Sequence, residues 1–132
     1  MKQTQLISGL AALLFAAGMA QAADPLTAIT AEARSGQAFN GFSAERGAAL
    51  WRTKGKDWSC STCHTTDPRK PGRHTVTGKA IQPMAPASNP NRLTDPAKVE
   101  KWFKRNCRDV FDRECTAQEK GDVITWLRSL TR

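Results

Sequence analysis

Apolar side chains recur with the period of an α-helix in the C-terminal half of the chain. The segment begins at Asp95-Pro96, which places a helix N-capping residue directly before a proline at the first helical position. Four residues then follow with i, i+3, i+4, i+7 spacing: Val99, Trp102, Phe103 and Asn106. This spacing predicts one helix on which the four side chains share a face, and Asn106 is the polar exception on that face.

Capping residues predict three further helices. A cap-and-proline start predicts a helix from Asp24-Pro25 to about Arg34. Ser43 caps a second segment, Ala44 to Arg52, and Thr116 with Glu119 forms a capping box before a last amphipathic helix. The apolar stripe of that last helix consists of Val123, Ile124, Leu127 and Leu130, with Trp126 beside it.

Residues 65–94 separate these helices and are rich in proline and glycine. The stretch contains Pro68, Pro71, Gly72, Gly78, Pro83, Pro86 and Pro90. We expect an irregular loop here, and we find no segment with the period-2 alternation of a β-strand. A loop of this length in a small domain needs something other than its own side chains to pack around. The predicted fold class is all-α, with helices at both ends and a long Pro/Gly-rich loop between them.

Length and composition exclude several classes of protein. A chain of 132 residues with 39% hydrophobic and 24% charged residues predicts one globular domain. A multidomain enzyme, a coiled coil and a fibrous protein are excluded. A chain this small also buries too little surface to build a large active-site cavity from protein alone. The formal net charge of +8 makes the protein strongly basic.

Residues 1–22 have the organisation of a secretory signal peptide. Lys2 supplies a positive charge, Leu6 to Ala20 form an apolar run, and Ala20-Gln21-Ala22 is a small-x-small cleavage site. An uncleaved membrane anchor is the alternative, although the run is short for a membrane span. We therefore expect a signal peptide at 1–22 and one domain at 23–132 in the periplasm. Export makes nucleic acid an unexpected partner despite the basic charge.

Cys60-Ser61-Thr62-Cys63-His64 is a C-x-x-C-H sequence, the attachment signature of c-type haem. Two thiols at this spacing add to the two vinyl groups of haem, and the adjacent histidine ligates the iron. A thioredoxin-like redox pair would need a βαβ context, and a zinc site would need two more ligands at suitable spacing. A plain disulfide would leave His64 unexplained. The motif predicts one covalent haem c held by Cys60, Cys63 and His64.

Two more cysteines, Cys107 and Cys115, stand eight positions apart. In an oxidising compartment they predict a disulfide that closes a short loop between the last two helices. A loop of this size contributes ~2–3 kcal/mol in the chain-entropy model. Two free or metal-binding thiols are the alternative. The disulfide would also hold the neighbouring Asn106.

The sixth iron ligand decides the function, and the sequence offers three candidates. Met84 follows His64 by 20 residues, which is short for a chain that must pass round the haem edge. His74 follows by ten residues and has the surroundings of a surface residue. Asn106 follows by 42 residues, on the helix face described above. A buried amide costs ~1–3 kcal/mol unless it is satisfied, so Asn106 is either an iron ligand or a helix C-cap, and spacing alone leaves both open.

A stretch around Asn106 resembles a known family. Arg105-Asn106-Cys107, with Cys115 eight residues later, follows the segment from Thr94 to Trp102. This combination is similar to the oxygen-binding class I c-type cytochromes called sphaeroides haem protein (the SHP family). The similarity extends from Glu45-Arg46-Gly47 through the haem motif, Gly78-Lys79, Pro83 and Pro86 to Glu119-Lys120 and Trp126-Leu127.

The resemblance implies a class I cytochrome c fold and a set of roles. It implies that Asn106 is the sixth ligand of ferric iron, that it moves away on reduction so that O₂, NO or CO can bind, and that Cys107 and Cys115 form a disulfide beside it. It also implies electron donation by a dihaem cytochrome c and a membrane cytochrome b. An amide oxygen is a hard, weak donor that suits ferric iron better than ferrous iron. A methionine ligand would favour the ferrous state and close the iron to gas.

We therefore predict an exported cytochrome that binds a diatomic gas at ferrous haem, and reduction of O₂ or NO there is a further hypothesis. An electron carrier with His64/Met84 ligation is the alternative, and a disulfide- or zinc-stapled binding module is a third hypothesis. Trp51, Trp102 and Trp126 are expected in the core and against the haem. Five basic residues near Asn106 are either a solvated face or a surface that steers an acidic redox partner: Lys98, Lys101, Lys104, Arg105 and Arg108.

Overall fold

The computed structural model describes residues 23–36 and 38–131, so the predicted signal peptide at 1–22 lies outside the described residues. Within that part the elements, in chain order, are α1 (Pro25–Ser35), α2 (Ala44–Arg52), α3 (Cys60–His64), β1 (Gly72–Arg73), β2 (Ala80–Ile81), α4 (Pro96–Phe111) and α5 (Ala117–Ser129). The predominantly helical fold confirms the predicted class. No helix in the described part is both long and apolar enough to cross a membrane.

Helix starts are fixed by the capping residues that the sequence predicts. The side chains of Asp24, Ser43, Asp95 and Thr116 each accept a hydrogen bond from a backbone N–H in the first turn of α1, α2, α4 and α5, respectively. Each such bond satisfies one of the N–H groups that a helix N-terminus leaves without a partner. Glu119 completes the predicted capping box by accepting from the Thr116 N–H at 2.8 Å.

The long loop differs from the prediction because it contains a short hairpin. β1 and β2 pair antiparallel, with Gly72 opposite Ile81 and Arg73 opposite Ala80. Strands of two residues are too short to show period-2 alternation, and so the sequence pattern could not reveal them. The expectation of a wholly irregular stretch over residues 65–94 is wrong at this ladder.

The crossing of α2 and α5 organises the core. Gly47 of α2 lies so close to the Asp122 carbonyl of α5 that an added Cβ would clash with it. Asp122 is buried, and its carboxylate accepts from the Ser43 N–H at 2.7 Å and from Arg46 Nε at 2.7 Å. A glycine contact and one buried carboxylate therefore fix how the two helices pack, although they are distant in sequence.

Two groups of buried side chains lie around this crossing. The first joins α1, α4 and α5 and consists of Ile29, Val99, Ala117 and Ile124. The second, called the Trp51 cluster below, consists of Trp51, Val123, Trp126 and Leu127. Trp51 and Trp126 are thus core residues as predicted, whereas Trp102 is 47% exposed and is not part of the protein core. The α4 face predicted from helical spacing is therefore buried at Val99 but exposed to solvent at Trp102.

Candidate haem site

The two cysteines of the C-x-x-C-H motif lie on α3 as unpaired, partly buried thiols. Cys60 packs against the Trp51 cluster. Burial, with a smaller effect of Cys63, raises the pKa of the Cys60 thiol to about 11, so this sulfur stays protonated at neutral pH. The Sγ of Cys63 lies 3.6 Å from the Thr75 hydroxyl. The helix thus presents two separate thiols instead of a disulfide.

His64 ends α3 as a neutral imidazole. Burial lowers its pKa to about 4, and the nearby Arg92 and His74 act in the same direction. Its ring lies 5.6 Å from the ring of Trp51. Nδ1 is buried and has no hydrogen-bond partner within the described residues. A neutral imidazole is the form that ligates metals.

The backbone after His64 turns sharply and is held by Trp51. Thr65 has φ 65°, a left-handed conformation that is uncommon for a β-branched residue. Trp51 Nε1 donates to the Thr65 carbonyl at 2.8 Å, and Thr65 Oγ1 donates to the Asp67 carbonyl at 2.6 Å. Gly72 of β1 then packs so closely on Cys63 and His64 that a Cβ there would clash with the Cys63 carbonyl. These contacts fix the position of His64, and none of them was predicted from the sequence.

Met84 is tied to the loop segment just after His64. Its backbone N–H donates to the carbonyl of the fully buried Pro68 at 2.8 Å, and Ala85 donates to the same carbonyl at 3.0 Å. The Met84 side chain packs against the Trp51 cluster, which Cys60 also contacts. The structure therefore gives Met84 a packing role close to the motif.

His74 occupies the turn between β1 and β2. Its Nδ1 accepts from the backbone N–H groups of Val76 and Thr77, both at 3.2 Å. The side chain is partly buried, so the expectation of a plain surface residue is only partly met. Its ring nitrogen Nδ1 is engaged in shaping the turn, which argues against a ligand role through that atom.

Asn106 lies inside α4 and is not a helix C-cap. The helix continues to Phe111 and is capped by Asp112, which has φ 57°. The alternative that Asn106 ends the helix is therefore wrong. The side chain is partly buried, and within the described residues its amide makes no hydrogen bond. Phe103, one turn earlier, packs against the Trp51 cluster and so connects this face of α4 to the surroundings of His64.

The residue after Asn106 is fixed by a covalent bond. Cys107 and Cys115 form a disulfide with a Cα–Cα distance of 5.7 Å, and both residues are buried. The bond joins the last turns of α4 to the segment that precedes α5. Asn106 therefore projects from a stretch of helix that is anchored on its C-terminal side.

This set of residues fits covalent haem. Two unpaired thiols, a neutral imidazole with a buried, unpartnered nitrogen, and an apolar cluster beside them match what haem c requires. A zinc site is not supported, because residues 23–36 and 38–131 contain no group of three His, Cys, Asp or Glu side chains suited to a metal ion. Two residues of the site were not identified from the sequence. The positive φ of Thr65 is not indicated by any residue pattern, and the hydrogen bonds of Arg92 to the Gln82 and Pro83 carbonyls form only when the loop folds.

The sequence matches one family and two characterised relatives. Residues 37–127 match a family described as "Domain of unknown function (DUF1924)". Cytochrome c-type protein SHP from Cereibacter sphaeroides is 51% identical over 89 residues, which is 64% of this chain and 68% of that protein. Cytochrome c'' from Methylophilus methylotrophus is 41% identical over 78 residues, covering 59% of this chain and 54% of that protein.

Solved structures of the same two proteins share the fold. Oxidized SHP, described as an oxygen-binding cytochrome c, superposes with a TM-score of 0.69 at 40% identity, covering 80% of this chain and 94% of SHP. A solution structure of Methylophilus methylotrophus cytochrome c'', concerned with haem-ligand detachment, gives a TM-score of 0.72 at 33% identity, covering 82% of this chain and 92% of the other. The likeness covers nearly all of both neighbours.

Proposed function

We propose that this chain, a member of the DUF1924 family, binds a diatomic gas after its ligand Asn106 is released on reduction. The chain is a monohaem c-type cytochrome like its relatives SHP and cytochrome c''. The cofactor is one covalently attached haem c. Cys60 and Cys63 supply the thiols for attachment, and His64 supplies the fifth ligand. When bound, the haem provides an iron that changes oxidation state and can take up O₂, NO or CO when its sixth position is open.

The observation that carries the proposal is the state of the Asn106 side chain. It is a partly buried amide without a hydrogen-bond partner among the described residues, and the adjacent Cys107 is locked to Cys115. The described residues supply no partner for this amide, so its oxygen is available to ligate the ferric iron. Its hard oxygen binds ferrous iron weakly, so Asn106 leaves the site on reduction. The relatives support this proposal, since one binds oxygen and the other is studied for haem-ligand detachment.

The alternative is an electron carrier with His64/Met84 ligation. Met84 favours it in one respect, because its side chain lies in the apolar surroundings of Cys60. The backbone bond from Met84 to Pro68 argues against it, since that bond ties the residue to the segment that follows His64 on the chain. We therefore assign Met84 to packing.

Electron supply and location complete the proposal. We place the protein in the periplasm, with a dihaem cytochrome c and a membrane cytochrome b as donors. Four of the five basic residues of α4 make exposed ion pairs with Asp95, Asp109 or Glu114, which leaves their contribution to stability small. Such exposed charges would act mainly on the rate of association with an acidic donor, and this effect fades with salt.

Two variants separate the gas binder from the electron carrier. In the wild type we expect a ferrous spectrum typical of five-coordinate, high-spin haem and rapid binding of CO. Met84→Leu should change this little, because Met84 is not a ligand. Asn106→Ala should leave the ferric iron with water or no sixth ligand, while CO binding by the ferrous form is retained. A methionine-to-iron charge-transfer band in the ferric wild type that disappears in Met84→Leu would overturn gas binding in favour of electron transfer.

A further inference from the structure

Arg92 differs from the other arginines that the structure describes in its surroundings. It is partly buried, whereas the remaining arginines in residues 23–36 and 38–131 are exposed. Among the described residues it also has no carboxylate within ion-pair distance, whereas Arg46, Arg69 and Arg128 each pair with an aspartate at 2.7–2.9 Å. Partial burial of a cation without an anion is unfavourable, because the charge loses hydration without gaining a counter-charge.

The contacts of Arg92 hold its guanidinium in place without neutralising it. Nε donates to the Pro83 carbonyl at 2.9 Å, and Nη2 donates to the Gln82 carbonyl at 2.9 Å. Nη1 makes no hydrogen bond within the described residues. Asn89 Nδ2 donates to the same Pro83 carbonyl at 3.3 Å, so the segment that orients the arginine is itself braced. The guanidinium is therefore oriented by the loop while part of its donor edge stays available.

The guanidinium of Arg92 is held beside the candidate haem site. It donates to the carbonyls of Gln82 and Pro83, the two residues directly before Met84. The loop that Arg92 holds also carries Met84, whose side chain packs on the Trp51 cluster beside Cys60. The unpaired cation thus stands at the edge of the site that holds the haem.

We propose that Arg92 binds a propionate carboxylate of the haem and is a positioning residue for it. A guanidinium matches a planar carboxylate through paired N–H donors, and a partly desolvated pair of this kind is stronger than an exposed one. Haem is the group of this site that carries carboxylates, and the described polypeptide offers Arg92 none. The proposal rests on haem attachment near His64 and does not depend on which residue is the sixth ligand.

Three variants of the holoprotein test this role. Arg92→Gln removes the charge but keeps an N–H donor for the loop carbonyls. Arg92→Lys keeps the charge and changes the hydrogen-bond geometry. Arg69→Gln is the matched control, because Arg69 lies in the same loop but is exposed and already paired with Asp67 at 2.8 Å. The readouts are the reduction potential by spectroelectrochemistry under argon and the propionate carboxylate bands in redox-difference infrared spectra.

A positive charge near the haem stabilises the ferrous form, so Arg92→Gln should lower the potential. The expected change is roughly threefold to tenfold in the ferrous-to-ferric ratio at fixed electrode potential, or ~30–60 mV. Arg92→Lys should recover most of the potential, Arg69→Gln should change it little, and the carboxylate bands should shift in both Arg92 variants.

Two results would overturn the proposal. Equal potentials in Arg92→Gln and Arg69→Gln, with unchanged carboxylate bands, would show that Arg92 only braces the loop. Potentials that fall equally in Arg92→Lys and Arg92→Gln would show the same. If Arg92→Gln does not retain haem, the infrared bands of Arg92→Lys decide: unchanged bands reject the pairing. Because neither readout needs CO or Asn106, failure here and failure of the gas-binding proposal are distinguishable.

Discussion

The two pairs of cysteines have the same side chain and opposite environments. Cys107 and Cys115 are buried and bonded to each other, whereas Cys60 and Cys63 are separate thiols on one short helix. Burial raises the pKa of the Cys60 thiol to about 11, so this thiol stays protonated at neutral pH. The position of each cysteine in the fold therefore decides between a structural bond and attachment of the cofactor.

Covalent attachment through α3 is tested by removing both thiols. In Cys60→Ala with Cys63→Ala, we expect that acidified organic solvent extracts all the haem, because only bonds from protein ligands to the iron, such as the His64–iron bond, would remain and acid breaks them. The measurement is the haem absorbance in the organic and aqueous phases. Cys107→Ser with Cys115→Ser is the control and should keep its haem in the protein phase. Haem that stays with the Cys60/Cys63 variant would show that the attachment site lies elsewhere.

Among the elements, α4 connects the helix core to the haem site. Val99 packs in the first buried group, Phe103 reaches the Trp51 cluster, and Asn106 follows one turn later. The anchored end of the helix lies at Cys107, where the disulfide holds it against the segment before α5. The freedom of the Asn106 amide thus depends on how rigidly this end of α4 is held.

Removal of that disulfide should have two effects. Cys107→Ser with Cys115→Ser should lower the free energy of unfolding by ~2–3 kcal/mol, since the unfolded chain regains the entropy that the closed loop removes. It should also speed exchange at the sixth iron position, because Asn106 is the neighbour of Cys107. Denaturant unfolding and stopped-flow binding of an exogenous ligand to the ferric protein measure the two effects. Two alkylatable thiols in the unreduced wild-type protein, in addition to any at Cys60 and Cys63, would contradict the premise.

Helices that begin at a capping residue were predictable from the sequence, whereas elements that depend on pairing between separate segments were not. Asp24, Ser43, Asp95 and Thr116 mark their helices because a cap acts within one turn. The β1–β2 ladder depends on pairing across a turn in two-residue strands, which leaves no periodic trace. The end of α4 was also not predictable from local sequence. The helix continues to Phe111, and no residue near Asn106 indicates that it does so, which is why Asn106 could be taken for a helix C-cap.

At the scale of the whole molecule, polar contacts join parts of the chain that lie far apart in sequence. Asp122 of α5 holds the start of α2 through Ser43 and Arg46, and Lys120 reaches Glu100 of α4 at 3.0 Å. The C-x-x-C-H motif identified the haem site locally, but the Arg92 and Thr65 contacts beside it arise only when the loop folds over α3. Local sequence patterns do not show which distant residues contact each other. The surroundings of the site were therefore less predictable than the motif.

Arg128 of α5 joins the two ends of the domain, and this link should make stability depend on acid. Its guanidinium donates to both carboxylate oxygens of Asp24 at 2.9 Å and to the Leu93 carbonyl at 3.4 Å. Hydrogen bonds from Arg128, and a weaker one from the Leu26 N–H, hold the pKa of Asp24 below its ordinary value of 3.8. A carboxyl group with a lower pKa in the folded state stabilises the protein above its unfolded pKa, and this contribution disappears as the pH falls through the folded value.

Asp24→Asn isolates the charge, because asparagine caps a helix about as well as aspartate. At pH 7 we expect the variant to be less stable by about 0.2–1 kcal/mol, a small amount because the pair is partly exposed and screened by water. The difference from wild type should shrink as the pH falls below 3.8 and vanish once Asp24 is protonated. Urea unfolding of the holoprotein between pH 7 and pH 3 measures it, with Asp57→Asn as a control that removes an exposed carboxylate elsewhere. Equal stability of the variant and the wild type over this whole range would mean that Asp24 acts through capping alone, and the ionic link between the two ends of the domain would then contribute nothing.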